Sequence, residues 1–318
     1  MEKVRSAEKS RISSCRFADL IAEKSIAKFR EICPDRQGQT VIAAVAVFTD
    51  QGDLEIVSLA AGTKFAPQKL GIRFISDCHA EVLARRAFNR YLVDRPENFS
   101  KGIHLYVSSQ PCGNACVRRW AKSKREIFDD SLDEKTLPMH VHEKISAHAV
   151  AEGQFAVEFK APGILSCSDK IAIWNSSGIV KKCIAHIFPR LDFSSITVGR
   201  KFVRAHAQRA FCCRMQSARL QQLNHPVLLC TSTKLDEGGM DAEKGASFSD
   251  AKCFWWSLGR DVEFIDPITG LQISGEISAA CSAQLQADAA SQLPGICEVV
   301  ETLEFEKYRA RLFLLDPS

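Results

Sequence analysis

His79 and Glu81 stand two residues apart in the segment "DCHAE", and both side chains are of types that serve metal-dependent chemistry. An imidazole nitrogen binds zinc, and a carboxylate that stays off the metal can move the proton of a metal-activated water. The segment "SQPCG" places a further donor, the Cys112 thiol, directly after a predicted strand. A histidine and a glutamate at this spacing are common on exposed helices, but the pair together with Cys112 predicts a zinc site.

A zinc site of this kind needs a third protein ligand, and two cysteines compete for that position. Cys116 follows Cys112 at i+4, so in a regular helix both sulfurs lie on one face. Cys167 precedes Ser168 and Asp169, which are typical of a helix start, so its sulfur is expected at the positive end of a helix dipole. Spacing alone does not choose between the two. The remaining cysteines read as small buried hydrophobic residues.

The composition is that of an intracellular globular protein. The chain has 318 residues, of which 46% are hydrophobic, and can therefore bury a substantial core. Its first residues, "MEKVRSAEKSR", lack the apolar segment of a signal peptide, and no long apolar run predicts a membrane span. We expect the 13 cysteines to be reduced and the protein to reside in the cytoplasm, the nucleus or both. The net charge of +4 is too small to indicate nucleic-acid binding by itself.

The elements that must position these residues alternate along the chain. Apolar residues at helical spacing predict helices over 16–32 and 79–92, and short apolar runs predict strands over 40–48, 54–60 and 103–109. The alternation predicts an α/β fold around one sheet. Two polar segments interrupt the pattern: we expect an insertion at 127–160 and an exposed loop at 232–250.

Four segments carry a resemblance to a known family. Taken in order, "GTK" (62–64), "DCHAEVLARRAFNRYL" (77–92), "LYVSSQPCG" (105–113) and "SCSDKIAIWN" (166–175) resemble the deaminase domain of the RNA-specific adenosine deaminases, most closely the tRNA-specific branch. The resemblance runs from about Phe17 to Phe313. It implies a three-layer zinc-dependent deaminase fold with a mixed central sheet, helices on both faces and family-specific insertions. It also implies a single adenosine-deaminase domain over 1–318.

The resemblance assigns the zinc site. In that family the ligands are the histidine of His-Ala-Glu, the cysteine of Pro-Cys-Gly and the cysteine of Ser-Cys-Ser-Asp-Lys, which here are His79, Cys112 and Cys167. Glu81 matches the proton-transferring glutamate. The family has no zinc ligand directly after Pro-Cys-Gly, so Cys116 becomes a bystander.

The resemblance also implies a buried inositol hexakisphosphate, which needs cations around it because a polyanion is costly to bury unpaired. Arg85, Arg86 and Lys170 match basic residues of that site, and Asp77 with Lys170 matches positions that connect it to the metal. The chain departs from the family pattern at Ser76, Ile173, Lys181 and Lys182, and it stops at Ser318 soon after Arg309, which matches a further basic position.

Two regions are candidates for RNA contact. Thr63 and Lys64 match a family loop at the mouth of the active site. The basic run "VRRWAKSKR" surrounds an aromatic residue with cations, as single-stranded RNA recognition requires, although a solvated helix face with a core tryptophan explains the run equally well. Its candidate contacts are Arg118, Arg119 and Lys122.

The function that follows from the resemblance is zinc-dependent hydrolytic deamination of adenosine to inosine in tRNA, at the adenosine 3′ of the anticodon of alanine tRNA. One deaminase domain fills the 318 residues and leaves no room for double-stranded-RNA-binding domains, which favours tRNA as the partner. We expect no membrane association and no obligate protein partner. The alternatives are a duplex-RNA editor that acts with a partner, a catalytically silent RNA-binding paralogue and, less consistent with the cysteine spacing, a free-cytidine deaminase.

Overall fold

The computed structural model describes most of the chain outside a long central segment and the carboxyl-terminal residues. The described residues are 2–34, 40–66, 70–96, 102–113, 115, 166–185, 187–213, 223–235 and 252–292. In order they form α1 (Glu2–Ile32), β1 (Ile42–Phe48), β2 (Leu54–Ala61), β3 (Thr63–Phe65), β4 (Asp77–His79), α2 (Ala80–Asp94), β5 (Ile103–Ser109), α3 (Cys167–Ser177), a 3₁₀ turn (Lys182–Ile184), β6 (Phe193–Arg200), α4 (Arg204–Phe211), β7 (Val227–Cys230), β8 (Cys253–Ser257), β9 (Glu263–Ile265) and α5 (Ser282–Gln292).

A mixed sheet forms the centre of the fold. Within the described ranges it has seven strands in the order β7-β6-β5-β1-β2-β8-β9. The pairs β5–β6 and β6–β7 are parallel, whereas β1 pairs antiparallel with both β2 and β5. The predicted α/β class with a mixed sheet is therefore confirmed. The separate pair β3–β4 was not predicted, because three-residue strands carry no periodic signal.

Alternation along β1 explains why helices cover both faces of the sheet. Ile42, Ala44 and Ala46 pack with the buried face of α1, while Ala43 and Val45 pack with α2 and α3 on the other side. Successive side chains of a strand point to opposite faces, and all of these are buried. A strand buried on both faces reads as one apolar run, which is how "IAAVAVF" appears in the sequence.

The predicted elements agree with the structure apart from their ends. The strands predicted over 40–48 and 54–60 are β1 and β2, and the strand predicted over 103–109 is β5. The helix predicted to begin at residue 79 begins at Ala80, with His79 at its N-cap. The helix predicted over 16–32 is the second half of α1, which extends back to Glu2. The insertion predicted at 127–160 lies outside the described residues, as does 236–250 of the predicted loop.

None of the helices in the described ranges combines the length and the apolar character needed to cross a membrane.

Candidate metal centre

His79 is positioned by the junction of β4 and α2. It takes an extended N-cap conformation, with φ −65° and ψ 142°, at the point where the chain leaves the strand. Its backbone N–H donates to the Asp77 carboxylate at 3.0 Å, and its Nδ1 lies 2.8 Å from the same oxygen. The second bond makes Nδ1 the protonated nitrogen and leaves Nε2 free for a metal.

Asp77 lies between two cations. The Lys170 ammonium contacts its second oxygen, Oδ2. Burial alone would raise the pKa of Asp77, but the charges of Lys170 and His79 outweigh burial and hold that pKa well below its usual range. Burial likewise opposes the charged form of His79, yet Asp77 raises the pKa of the imidazole to about 9. Asp77 therefore stays ionised and fixes the orientation of the His79 ring.

Cys167 is positioned by the amino-terminal end of α3. The helix begins with a capping box in which the Ser166 hydroxyl accepts from Asp169 N at 3.2 Å and the Asp169 carboxylate accepts from Ser166 N at 3.1 Å. The N-cap is therefore Ser166, and the sequence-based start at Ser168 was wrong by two residues, although the pattern Ser-x-x-Asp is readable in the sequence. Cys167 occupies the first helical position, where the helix dipole favours a thiolate.

Ser168, which the sequence predicts as the start of the helix, instead forms hydrogen bonds with the loop that carries Cys112. Its backbone N–H donates to Cys112 O at 3.0 Å, and its hydroxyl donates to the same carbonyl at 2.7 Å and accepts from Ala115 N at 3.1 Å. Gln110 closes the loop by donating to Ala115 O at 3.0 Å. Sequence reasoning missed both Ser168 and Gln110, because a serine or a glutamine that orders a distant loop has no local signature.

The three donors meet beside Glu81. One ligand atom from each of His79, Cys112 and Cys167 lies within 4.8 Å of the other two, and Cys167 N donates to Cys112 Sγ at 3.3 Å. One nitrogen and two sulfurs form a donor set that zinc accepts with a fourth position left open, so the residues fit this metal. Cys116, the rival ligand, lies outside the described residues.

Glu81 is buried in the first turn of α2, with 3% of its surface exposed. Burial raises the pKa of this carboxyl, although the nearby His79 charge and a hydrogen bond to Cys167 act in the opposite direction. A raised pKa lies nearer to neutrality, where a carboxyl both accepts and donates protons efficiently. Glu81 can therefore serve proton transfer next to the donor cluster.

Arg85 and Arg86 are half-buried one turn further along α2. Arg85 donates to the carbonyls of Ile179 and Val180 at 2.7 and 3.0 Å, and Arg86 donates to Ala280 O at 3.1 Å. Among the described residues, no carboxylate oxygen lies within 4.0 Å of a nitrogen of either guanidinium group, so neither arginine forms an ion pair there. Burial lowers the pKa of Arg85 to about 9 and also lowers that of Arg86. Two adjacent half-buried cations with carbonyl partners, and with no carboxylate paired to them among the described residues, favour a negatively charged ligand.

The four positions at which the chain departs from the family's inositol phosphate pattern, and the matched Arg309, lie in different settings. Lys181 is half-buried and its Nζ contacts Ser282 Oγ at 2.5 Å, near the Arg86 carbonyl partner. Lys182 is exposed on the 3₁₀ turn, and Ile173 is buried in the apolar core. Ser76 hydrogen bonds with Leu70, while Arg309 lies outside the described residues. Lys181 follows Val180, whose carbonyl accepts from Arg85, whereas Lys182 lies at the surface.

The residues predicted to contact RNA fall into two groups. β3 pairs antiparallel with β4 so that Thr63 lies opposite His79 and Lys64 opposite Cys78. The Thr63 hydroxyl is buried and has no hydrogen-bond partner among the residues that the structure describes, and Lys64 is partly exposed. The basic run lies outside the described residues, and with it Arg118, Arg119 and Lys122.

Comparison with known proteins bears on this site. The chain matches the family model described as "Adenosine-deaminase (editase) domain" over residues 58–102 and 97–289, which is more than half of its length. It is similar to "Double-stranded RNA-specific editase B2" of Mus musculus, at 28% identity over 87% of this chain and 43% of that protein. It is also similar to "Double-stranded RNA-specific adenosine deaminase" of Mus musculus, at 25% identity over 64% of this chain and 21% of that protein. A third relative, "tRNA-specific adenosine deaminase 1" of Drosophila melanogaster, is 28% identical over 65% of this chain and 57% of its own length. The chain thus spans less than two thirds of the length of each of these relatives.

Proposed function

The chain belongs to the adenosine-deaminase (editase) domain family, and on that premise we propose that it hydrolyses adenosine to inosine in RNA. The observation that carries this proposal is the convergence of His79, Cys112 and Cys167 beside the buried carboxyl of Glu81. A zinc ion held by these three donors would lower the pKa of a bound water to about 7 and so supply a nucleophile at neutral pH.

Glu81 carries the protons in this proposal. Its carboxylate takes a proton from the attacking water as the water oxygen bonds to C6 of adenine, and it returns that proton to N1. It then passes the proton of the new C6 hydroxyl to the amine. The C6–N bond breaks, so adenosine and water become inosine and ammonia. The burial that raises the pKa of Glu81 supports this role, because the carboxyl must both accept and donate.

We assign the nucleotide contact to Thr63 and Lys64. An adenine that reacts at C6 must leave its base stack and enter the pocket, where neighbouring backbone and side chains hold it. β3 runs alongside the strand that ends at His79, so its residues border the donor cluster. The basic residues Arg118, Arg119 and Lys122 belong to the same proposal as contacts to the RNA backbone.

The proposed substrate is tRNA, at the adenosine 3′ of the anticodon of alanine tRNA. The similarity to a tRNA-specific adenosine deaminase 1 over 65% of this chain supports this substrate. Duplex RNA is a second candidate, because the similarity to an editase named for double-stranded RNA extends over 87% of the chain. The two candidates share the same chemistry and differ in the RNA that must be presented.

One experiment separates these candidates from each other and from a silent RNA-binding protein. Purified protein is incubated with alanine tRNA and, separately, with a long RNA duplex, and A-to-G changes are read by reverse transcription. Conversion in the tRNA is the expected result. Glu81→Gln should slow conversion by about 10²- to 10⁴-fold, the usual contribution of a general acid–base group. The exposed Glu276→Gln is the matched control and should leave the rate unchanged.

Each other outcome of this experiment has a meaning. Conversion of the duplex alone would contradict the tRNA assignment and favour the second candidate. Conversion of neither RNA above the level of Glu81→Gln, by a protein that binds both, would contradict the enzymatic proposal as a whole.

We further propose that Arg85 and Arg86 face inositol hexakisphosphate, joined by Lys170 and Lys181. The half-buried guanidinium groups have carbonyl partners and, among the described residues, no paired carboxylate, and phosphate oxygens would supply negative charge beside them. Lys170 pairs with Asp77, the carboxylate that also contacts the His79 ring of the metal centre. The bound polyanion would act on the fold, by neutralising cations that are costly to bury, while the reaction itself stays with Glu81 and the metal donors.

Extraction of the purified protein with acid, followed by phosphate chromatography, tests this cofactor. We expect one inositol hexakisphosphate per folded chain and a reduced yield of folded protein for Arg85→Gln. The exposed Arg73→Gln is the matched control and should retain both the cofactor and the yield. A folded protein that contains no phosphorus would contradict the proposal without touching the metal-dependent reaction.

A further inference from the structure

A second cluster of side chains that could bind a metal lies near the carboxyl end of α3, whereas Cys167 is the first residue of that helix. Cys212 and Cys213 follow the last residue of α4, and His225 lies just before β7. The two sulfurs are 3.7 Å apart, and Cys213 Sγ is 4.0 Å from His225 Nδ1. All three potential ligand atoms lie within 4.8 Å of one another, which is the same spacing as in the candidate metal centre.

These distances match the edges of a zinc coordination tetrahedron. With Zn–S bonds of about 2.3 Å and Zn–N bonds of about 2.0–2.1 Å, two sulfurs bound to one tetrahedral zinc are about 3.8 Å apart and a sulfur and a nitrogen about 3.6 Å. The Cys212–Cys213 separation agrees with the first value, and the Cys213–His225 separation exceeds the second by a few tenths of an ångström. The third pair, Cys212 and His225, has its potential ligand atoms within 4.8 Å, so the His225 side chain must move toward the sulfurs for all three donors to bind one ion.

Asn175 on α3 holds the two halves of the cluster together. Its side-chain amide donates to Phe211 O at 2.9 Å, next to the cysteines, while its own oxygen accepts from Asn224 Nδ2 at 3.1 Å, next to the histidine. Asn224 N also donates to Asn175 O at 2.7 Å. Because both neighbours are fixed to one residue, the donors are positioned before any metal arrives, which lowers the entropic cost of binding.

The electrostatic setting favours a cation. The cysteines stand at the carboxyl end of α4, where the helix dipole is negative and opposes a bare thiolate. A divalent cation reverses this penalty, since it neutralises two thiolates and interacts favourably with the helix end. Among the described residues no fourth His, Cys, Asp or Glu joins the cluster, and residues 214–224 contain none in their sequence. A water would complete the coordination.

We propose that Cys212, Cys213 and His225 bind a second zinc ion. The ion joins the end of α4 to the residues just before β7. Its role is structural: it holds α4 and β7 against the carboxyl half of α3, the helix whose first residue is Cys167. It is independent of the proposed reaction, which uses other residues.

The zinc content of the intact protein, kept reduced, tests this proposal. The protein is equilibrated with excess zinc, passed through a desalting column and measured by mass spectrometry of the metal. We expect two zinc ions per chain in the wild-type protein, one in Cys213→Ser and one in His225→Ala. The exposed Cys230→Ser is the matched control and should keep both ions. Cys112→Ser, in the candidate metal centre, should lose one ion and keep the second.

The same measurements contain the results that would overturn the proposal. One zinc ion in the wild-type protein, lost in Cys112→Ser and unaffected by Cys213→Ser, would show that the second site does not exist. Two ions that both survive Cys213→Ser and His225→Ala would place the second ion elsewhere. His225 is exposed, so its replacement leaves the fold intact and a loss of zinc from His225→Ala reports on binding.

Discussion

Asp77 connects the candidate metal centre to the basic interior of the protein. One carboxylate oxygen binds the backbone and the ring of His79, and the other contacts Lys170. Because a metal-binding histidine is oriented by the group that its other nitrogen contacts, Asp77 controls the donor strength and direction of His79 without touching the metal. At the scale of single residues, the site therefore depends on an aspartate that supplies no ligand.

Asp77→Asn is expected to weaken zinc binding by about 10- to 100-fold, the usual effect of losing a group that orients a ligand. An amide still accepts a hydrogen bond but carries no charge, so both His79 and Lys170 lose their ionic partner. Competition with a chromophoric chelator measures the zinc dissociation constant. Asp192→Asn, which breaks an exposed pair with Arg190, is the control and should leave the constant unchanged. Equal constants for Asp77→Asn and the wild type would refute the orienting role.

At the scale of elements, the start of α3 determines where Cys167 lies. The capping box fixes the first turn of the helix, and Ser168 in that turn binds the Cys112 loop. The two candidate ligands Cys112 and Cys167 are thus brought together by one helix end, although a long stretch of chain separates them in the sequence. A loss of the cap affects both the helix and the loop.

Ser166→Ala should lower the free energy of unfolding by about 0.5–2 kcal/mol, the usual cost of losing a serine N-cap. The Ser166 side chain is buried, so water cannot replace its hydroxyl. Urea denaturation measures the change. Ser177→Ala removes an exposed hydroxyl from the other end of the same helix, where it donates to Ile173 O, and should change the free energy by less than about 0.5 kcal/mol. Equal effects of the two substitutions would contradict the importance of the cap.

The contact between α1 and the sheet contains a titratable group. His104 on β5 lies edge-on to Phe17 of α1 at 4.8 Å and to Phe48 of β1 at 5.4 Å, and its Nδ1 contacts Ser195 Oγ at 2.8 Å. Burial lowers the pKa of His104 to about 4. The folded protein therefore keeps this imidazole neutral at pH values at which an unfolded chain protonates it.

The expected consequence is a loss of stability in mild acid. The unfolded state binds a proton at His104 as the pH falls through about 6.5, while the folded state resists until the pH is near 4, so the free energy of unfolding falls across this window. Urea denaturation of the wild type and of His104→Gln between pH 7 and pH 4 tests this. The difference between the two proteins should shrink or reverse as the pH falls. Parallel curves would exclude His104 as the cause.

At the scale of the whole molecule, one buried arginine ties separate parts of the chain together. Arg90 on α2 is fully buried and donates to Asp94 of the same helix at 2.6 Å and to Asp288 of α5. Asp94 also accepts from Arg260, in the turn after β8. The network joins the helix that carries Glu81 to the carboxyl-terminal part of the described chain, far from the metal donors.

Arg90→Met should destabilise the fold by up to about 3–5 kcal/mol, because it leaves the partly buried Asp288 without Arg90 and leaves Asp94 with Arg260 as its cation. Differential scanning calorimetry or urea denaturation measures the effect. Glu31→Gln, which removes the exposed partner of Lys28, is the control and should cost no more than about 1 kcal/mol. A loss as small as that of Glu31→Gln would mean that Asp94 and Asp288 are sufficiently solvated on their own.

The sequence by itself determined the elements whose signal is local. The two apolar runs "IAAVAVF" and "LEIVSLA", separated by a polar turn, predict the β1–β2 hairpin. The helical spacing of the apolar residues after His79 predicts α2. Both patterns depend only on residues that are near neighbours in the sequence. The residue types also restricted the chemistry to a zinc-binding donor set with a carboxylate.

Only the tertiary structure decided which donors meet. Spacing alone left both Cys116 and Cys167 open, and Cys116 lies outside the described residues. For Cys167, the packing of α3 against the Cys112 loop brings the sulfur within 4.8 Å of donor atoms of His79 and Cys112. The same holds for Cys213 and His225, which join at the ends of two elements fixed by Asn175. Contacts of this kind depend on how segments that are distant in the sequence pack together, and the periodicity of the chain does not encode that packing. Whether a cysteine is a candidate ligand or a core residue therefore depends on the fold around it.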